Sequence, residues 1–240
     1  MALRTSGNLL QAAVVTLVFA VVARFVNGVT TRGALAGGLI AFAMYAGAGP
    51  GAFGALVSVF VIAIVTTRIG YSRKQKLGAA EGRAGRSASQ IVANTAVAAL
   101  TCILFALWRN SIFLLAGAAA LAEAAADTAS SEIGEAVSER ARLITTFQYV
   151  AAGTDGGITV SGTFAGAIAA IAVAAWCVLV RLISGPALWL AAGAGFFGML
   201  LDSVLGAVLE RRRMLNNDAV NVLGTLSAAL IALLLARMLL

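Results

Sequence analysis

Long apolar runs, separated by short polar or glycine-rich segments, follow one another along almost the whole chain. A helix that crosses a bilayer needs about 20 mainly apolar residues. The runs predict eight spans, near residues 9–26, 33–48, 51–67, 91–108, 112–127, 158–182, 187–209 and 219–239. We interpret the first run as a retained span because it lacks the small-residue cleavage pattern of a signal peptide. The predicted fold class is therefore all-α: a polytopic transmembrane helix bundle that forms a single integral membrane domain over residues 1–240.

Basic residues are distributed unevenly over the two sides of this predicted bundle. Of the 17 Lys and Arg residues, only Arg4, Arg109, Arg181 and Arg237 lie on the side of the amino terminus when the spans alternate. Cytoplasmic loops of membrane proteins carry most of the basic residues. We therefore expect both termini to lie outside and the polar chemistry to face the cytoplasm, as in a prokaryotic inner (plasma) membrane.

The composition excludes several classes of function. Hydrophobic residues make up 61% of the chain and the mean hydropathy is +0.97, which is more apolar surface than a soluble domain could bury. The sequence contains no histidine, so histidine-based acid–base catalysis, zinc sites and haem ligation through histidine are excluded. Cys102 and Cys177 lie alone in apolar runs, which is typical of packing residues. At a membrane, the net charge of +7 indicates attraction to anionic lipid or substrate, and we expect no nucleic-acid partner.

A first polar cluster lies at the end of the fifth predicted span. Glu123, Asp127 and Ser131 recur every four residues and therefore share one face of a helix. Glu132 lies about 140° round from Asp127, so we expect the helix to break near Ser130 if both are to reach one ligand. An acidic residue within a membrane helix indicates a functional site and needs a partner cation. Either Mg²⁺ or an arginine satisfies that need, and a purely structural ion pair is the alternative.

Two further segments carry features of phosphate binding. Residues 142–166 are predicted to form a long glycine-rich loop whose backbone N–H groups can approach an anion. Residues 67–95 carry basic side chains interleaved with glycines, although membrane orientation alone would also explain their charge. The candidate nucleotide and phosphate ligands in these segments and the first cluster are Arg73, Lys74, Arg83, Arg86, Asn94, Ser131, Arg142, Gly153, Thr154, Asp155, Gly156 and Gly157.

A fourth cluster joins the last two spans. Asn217 and Asn221 lie four residues apart and are also candidate phosphate ligands, whereas Asp218 either belongs to the site or caps the last helix. Oxygen ligands from carboxylates suit Mg²⁺, particularly when substrate phosphates complete its coordination. The predicted catalytic residues are Asp127, Glu132, Asp202 and Asp218, and the predicted metal ligands are Asp127, Asp202, Asp218 and Glu123.

Together these segments predict phosphoryl or nucleotidyl transfer at the membrane surface, with a lipid alcohol or lipid phosphate as the acceptor. Five motifs in order carry a family resemblance: TRIGYSRKQKLGAAEGRAGR, ADTASSEIG, RLITTFQYVAAGTDGGITVSGT, DSVLGAVLE and NNDAVN. The chain resembles the membrane-protein family that includes plant phytyl-phosphate kinase. It is more distantly similar to CTP-dependent dolichol kinase and CDP-diacylglycerol synthase, although the synthases carry a histidine in the corresponding loop and this chain has Thr154 and Asp155.

The resemblance implies a Mg²⁺- and CTP-dependent kinase that converts an isoprenoid (prenyl or phytyl) monophosphate to the diphosphate. It places metal and nucleotide binding on Asp127, Glu132 and the loop from Gly153 to Gly157. Two other enzymes stay open, a membrane cytidylyltransferase and a prenol kinase, and a transporter or flippase of anionic lipid is the alternative from another class. Glycine-rich helix faces permit a homodimer without requiring one.

Overall fold

The protein is described by a computed structural model that covers residues 2–78, 80, 82 and 84–239. Most of these residues are helical. The helices are α1 (Ala2–Phe25), α2 (Thr31–Ala48), α3 (Pro50–Arg68), α4 (Tyr71–Leu77), α5 (Ala88–Trp108), α6 (Ile112–Val137), α7 (Val160–Leu179), α8 (Ala187–Leu205) and α9 (Asn217–Leu239). Three short strands lie between α6 and α7: β1 (Arg140–Leu143), β2 (Tyr149–Ala151) and β3 (Gly157–Ile158).

The predicted all-α polytopic membrane bundle is confirmed. Six helices in the described residues, α3 and α5 to α9, are long and apolar enough to cross a membrane, and α1 adds a shorter apolar stretch, Leu9–Phe25. Helix α2 is continuous over 18 residues, but it carries Arg32 and several glycines. The count of eight crossings and the sides of the two termini stay predictions.

Local polar residues fix where several helices begin. The hydroxyl of Thr30 accepts a hydrogen bond from the Gly33 N–H and starts α2, and Thr159 does the same with Gly162 at the start of α7. Helix α5 begins with a capping box in which Ser87 and Gln90 exchange hydrogen bonds. Each cap satisfies backbone donors that have no partner within their own helix.

Helix α6 is the centre of the bundle and packs against α3, α5, α7, α8 and α9. Its many alanines let these neighbours approach closely. The contact with α7 is especially close, since a Cβ added to Gly162 would lie 2.5 Å from the Ser130 carbonyl oxygen. Cys102 and Cys177 are both buried in the same apolar core, where they act as packing residues.

Two predicted local structures are wrong. Residues 142–166 are not an open loop, because the three strands form an antiparallel sheet in the order β2-β1-β3, with Arg142 opposite Tyr149 and Leu143 opposite Gly157. Helix α6 does not break near Ser130 and continues to Val137. Serine breaks a helix only weakly, and packing on five sides holds α6 helical.

Candidate functional site

A polar cavity of about 460 Å³ lies at one end of the bundle. The amino-terminal ends of α5, α7 and α9 meet there with the carboxyl-terminal ends of α6 and α8. Three helix amino termini therefore direct their positive dipole ends toward one space, which favours a bound anion. The structure gathers these predicted site residues around the cavity: Arg86, Asn94, Asp127, Ser131, Glu132, Gly153, Thr154, Asp155, Gly156, Gly157, Asp202, Asn217 and Asn221.

Asp127 and Glu132 both line the cavity although α6 is unbroken between them. The cavity curves around the helix, so residues about 140° apart reach the same space. The described residues form two ion pairs, Lys74 with Glu132 and Arg73 with Glu139, and neither includes Asp127. Asp127 therefore lines the cavity with no arginine within ion-pair distance among the described residues.

Glu132 is held by α3 and α4. Its Oε1 atom accepts a hydrogen bond of 2.6 Å from the Thr67 hydroxyl, and its Oε2 atom pairs with Lys74. The Lys74 ammonium is fully buried and also donates to the carbonyl oxygens of Thr66 at 3.2 Å and Thr67 at 2.7 Å. An ammonium has three donors and all three are used. Lys74 therefore ties α4 to α6 and does not line the cavity, so its phosphate-binding role stays a prediction.

Arg86 owes its position to a short backbone bridge. Its N–H donates to the Gly28 carbonyl at 3.1 Å, and its carbonyl accepts from the Thr30 N–H at 2.9 Å. Gly85 precedes it with a φ of +82° and no room for a Cβ against the backbone of residues 27–29, so only glycine suits this position. With its backbone fixed, Arg86 reaches α6, where Nη1 donates to the Thr128 hydroxyl at 3.3 Å.

A pair of buried acidic side chains lies beside the cavity. Glu123 is 1% exposed and Asp202 is 8% exposed, and within the described part of the chain neither Glu123 Oε1 nor Asp202 Oδ2 has a hydrogen-bond partner. Both atoms face α9 at Gly224, where an added Cβ would lie 2.5 Å from Oε1 and 2.9 Å from Oδ2. Asp202 lines the cavity and Glu123 lies behind it. Unpaired buried carboxylates are costly, so this arrangement calls for a cation or a proton.

The glycine turn after β2, at residues 153–157, lies against the end of α8. Gly156 has a φ of +73° and contacts Ala207 so closely that a Cβ has no space. Ala207 belongs to a single π-helical turn, Gly206–Glu210, that continues α8. Such turns widen a helix and occur often at functional sites. The Gly157 N–H donates to the Thr154 carbonyl at 2.8 Å, which closes the turn at the cavity wall.

The remaining predicted site residues lie elsewhere. Arg142 stacks 4.1 Å from the centre of the Tyr149 ring and bonds its hydroxyl, so the hairpin itself holds this guanidinium. Arg73 lies 4.0 Å from Glu139 on the surface. Asp218 does not line the cavity, because it is turned about 100° from Asn217 on α9. The structure does not bring these three residues to the cavity, and their roles in the site stay predictions, whereas Arg83 lies outside the residues that the structure describes.

Several cavity residues were not predicted. Glu135 lies four residues beyond Ser131, so the spacing that connects Glu123, Asp127 and Ser131 would have found it had α6 been extended. Gln90 and Thr159 line the cavity from helix starts, where each also takes part in capping its helix. Glu210 reaches the cavity from the π-helical turn; it ends the motif DSVLGAVLE but was not among the predicted site residues.

The cavity lining is strongly acidic for a phosphate site. Among the described lining residues, Arg86 is the one basic side chain, and the acidic ones are Asp127, Glu132, Glu135, Asp155, Asp202 and Glu210. A polyphosphate would be repelled here unless cations accompanied it. Within the described residues no three acidic or cysteine side chains lie close enough to hold one metal ion, and Asp127, Asp202, Asp218 and Glu123 stay predicted metal ligands.

The donor set nevertheless fits Mg²⁺ that arrives with its substrate. Magnesium commonly uses one or two carboxylates together with waters and substrate phosphates. Asp127 and Asp202 line the cavity from two helices. The Oδ2 atom of Asp202 is buried against Gly224 and has no hydrogen-bond partner among the described residues. This arrangement suits an ion shared between protein and polyphosphate.

Comparisons with known proteins agree with this membrane architecture. The model of the family described as integral membrane protein DUF92 matches residues 14–229, which include all five ordered motifs. The membrane protein MJ0933 of Methanocaldococcus jannaschii is 36% identical over 180 residues, 75% of this chain and 74% of that protein. Protein VTE6, chloroplastic, of Arabidopsis thaliana is 28% identical over 224 residues, 90% of this chain and 67% of that protein. The membrane protein sll0875 of Synechocystis is 34% identical over 187 residues, 74% of this chain and 71% of that protein. No solved structure matches the chain.

Proposed function

Because the chain belongs to the integral membrane protein family DUF92, we propose that it is a Mg²⁺-dependent membrane kinase that transfers a phosphoryl group from CTP to an isoprenoid monophosphate. One observation carries the proposal. Three helix amino termini, a glycine turn and Arg86 surround a cavity whose other charged side chains, among the described residues, are carboxylates. Anion-binding and cation-binding groups in one space are the requirement for phosphoryl transfer from a metal-bound nucleotide.

Each part of the cavity has a proposed role. Asp127 and Asp202 would hold Mg²⁺, which neutralises phosphate charge and orients the transferred group when it is bound. The turn from Gly153 to Gly157 and Asn217 of α9 would bind the nucleotide phosphates through N–H donors. Arg86, fixed by its backbone bridge, would bind the acceptor phosphate through its guanidinium.

The proposed reaction balances without a separate base. An oxygen of the prenyl monophosphate dianion attacks the γ-phosphorus of CTP, and a new O–P bond forms. The bond from the γ-phosphorus to the β–γ bridging oxygen breaks, and CDP leaves with that electron pair. The dianion has no proton to lose, whereas a prenol would have to transfer its hydroxyl proton to a carboxylate. Positioning and electrostatics therefore supply the catalysis.

The test is product analysis with the full chain reconstituted in lipid. CTP, Mg²⁺ and geranylgeranyl or phytyl monophosphate should yield CDP and the prenyl diphosphate in equal amounts. Release of pyrophosphate with a CDP-lipid would support a cytidylyltransferase instead, and CDP formed only with a prenol would support a prenol kinase. Neither nucleotide binding nor turnover across these acceptors would refute the enzymatic proposal.

The position of the cavity supports an interfacial enzyme over a transporter or flippase. Its polar lining comes from helix ends that all lie at the same end of the bundle. A transporter usually binds its cargo near the bilayer midplane, between broken helices. In contrast, a site at the membrane surface can receive a soluble nucleotide from water and a lipid from the bilayer.

A further inference from the structure

A second cavity lies directly beside the polar one and is apolar. It is a narrow space of about 60 Å³ between α1, α2, α3, α5 and α6. Its walls include Phe19, Ile40, Leu56 and Phe60. At one end the two cavities share four lining residues, Arg86, Gln90, Asn94 and Thr128. The apolar space therefore ends at the arginine that faces the polar site.

The apolar cavity also adjoins the outer surface of the bundle. A groove of about 550 Å³ lies between α1 and α2, where Leu17, Phe25 and Leu35 are exposed. This groove and the apolar cavity share two small residues, Ala20 and Ala34. The outer groove, the apolar cavity and the polar cavity thus form a series that changes from apolar to polar along its length.

We propose that this series is the binding path of the acceptor lipid, with the prenyl chain passing between α1 and α2 and its phosphate held at Arg86. The inference rests on the proposed function, and it adds the location of the chain and the residues that determine its fit. The occupant is an amphiphile because one end of the path is apolar and the other carries a guanidinium. A soluble phosphate compound would leave the apolar part of the path empty or filled with water, and contact between apolar walls and water is unfavourable.

The dimensions limit how much of the chain is recognised. A water molecule needs roughly 10–15 Å³ of such space, so the apolar cavity accommodates only a short, slender segment. The part of the chain nearest the phosphate would occupy it, and the remainder would lie in the outer groove and the bilayer. Recognition should therefore depend on the first isoprene units and change little with units added beyond them.

Substitutions at the cavity wall test the path. Ala34→Leu narrows the passage between groove and cavity, and Gly37→Leu fills the cavity from α2, where a Cβ would lie 3.6 Å from the Ile91 side chain. We expect each to raise the KM for farnesyl and geranylgeranyl monophosphate at least about tenfold while the KM for CTP stays within about twofold. Gly193→Leu on α8 is the matched control, because its Cβ meets nothing within 4 Å among the described residues. Unchanged acceptor KM values in both cavity variants would overturn the inference while leaving the kinase proposal intact.

Photolabelling of the unmodified protein gives a second measurement if a variant fails to fold. The probe is a prenyl monophosphate that carries a diazirine on its first isoprene unit, added to the reconstituted full chain. We expect labels on α1, α2, α3 or α5 that unlabelled geranylgeranyl monophosphate removes and inorganic phosphate does not. Competed labels confined to α7 and α8 would overturn the path. Labels on the path in a protein that turns over no nucleotide would support the path and refute the proposed kinase.

Discussion

Glu123 and Asp202 direct carboxylate oxygens from two different helices toward the same glycine of a third. An added Cβ at Gly224 would lie 2.5 Å from Glu123 Oε1 and 2.9 Å from Asp202 Oδ2. Neither oxygen has a hydrogen-bond partner in the described residues, so a proton or a cation has to neutralise this pair, and the glycine lets both carboxylates lie against the α9 backbone. The glycine therefore shapes the acidic side of the site without contacting a ligand itself.

Gly224→Ala should impair phosphoryl transfer. The new methyl group displaces one or both carboxylates, and a displacement of about 1 Å in a catalytic site costs on the order of 100-fold in rate. Steady-state CDP release under saturating CTP measures this effect. Gly193→Ala, in the neighbouring helix and with open space around its Cβ, should keep the rate of the unmodified protein. Equal rates for the two variants would contradict the role given to Gly224.

Removal of a single carboxylate charge should lower activity at Asp127 and Asp202, which line the cavity, and leave it nearly unchanged at Asp218, which does not. Asp127→Asn and Asp202→Asn each remove an oxygen charge that faces the cavity, and we expect CDP release to fall roughly 10²–10³-fold. Asp218→Asn is the matched control, since this side chain does not line the cavity. Its rate should stay close to that of the unmodified protein. A large loss in Asp218→Asn alone would support the predicted site role of that residue over the roles given to Asp127 and Asp202.

Lys74→Met should destabilise the fold. It leaves the buried carboxylate of Glu132 without its cation, and breaking a buried ion pair costs about 3–5 kcal/mol. Thermal unfolding in detergent measures the change. Arg73→Met removes an exposed partner from a 4.0 Å contact and should cost less than about 1 kcal/mol. The double variant Lys74→Met with Glu132→Gln should recover part of the loss, and failure to recover any would refute the ion-pair explanation.

Gly156→Ala should disturb the turn that lines the cavity. The position combines a positive φ with close contact to Ala207, so alanine meets both backbone strain and a steric clash. Gly78 has a similar φ of +74°, but a Cβ there would meet nothing within 4 Å among the described residues. Gly78→Ala therefore measures the effect of backbone strain without a steric clash. We expect the Gly78 variant to lose about 1–2 kcal/mol of stability with normal CTP binding. The Gly156 variant should also lose CTP affinity in a thermal-shift titration.

The apolar pattern located the long helices because burial in a bilayer demands an apolar run of fixed length. Observed boundaries such as Pro50–Arg68 and Ile112 for α6 lie within a few residues of the predicted ones. The end of α6 was missed because Glu132 and Glu135 made its last turns look like a polar loop. Tertiary contacts from α4 and α7, which no local pattern contains, keep those turns helical.

The ordered motifs also indicated the family, and the family match confirms that resemblance. They did not separate residues that face the cavity from residues that support it. Lys74 and Arg86 belong to the same basic segment. Lys74 forms a buried ion pair with Glu132, whereas Arg86 donates a hydrogen bond to Thr128 at the cavity. That difference depends on contacts across the fold, as does the hairpin that keeps Arg142 on Tyr149.

The position of α6 at the centre of the bundle has a consequence for how lipid preference can diversify. Its cavity-facing acids are surrounded by packed helices on most sides, whereas α1 and α2 contact it little and lie at the periphery. Substitutions in those two outer helices can change the shape of the proposed lipid path without displacing the carboxylates. Under the proposed function, one polar cavity would serve different lipids through changes in these two outer helices.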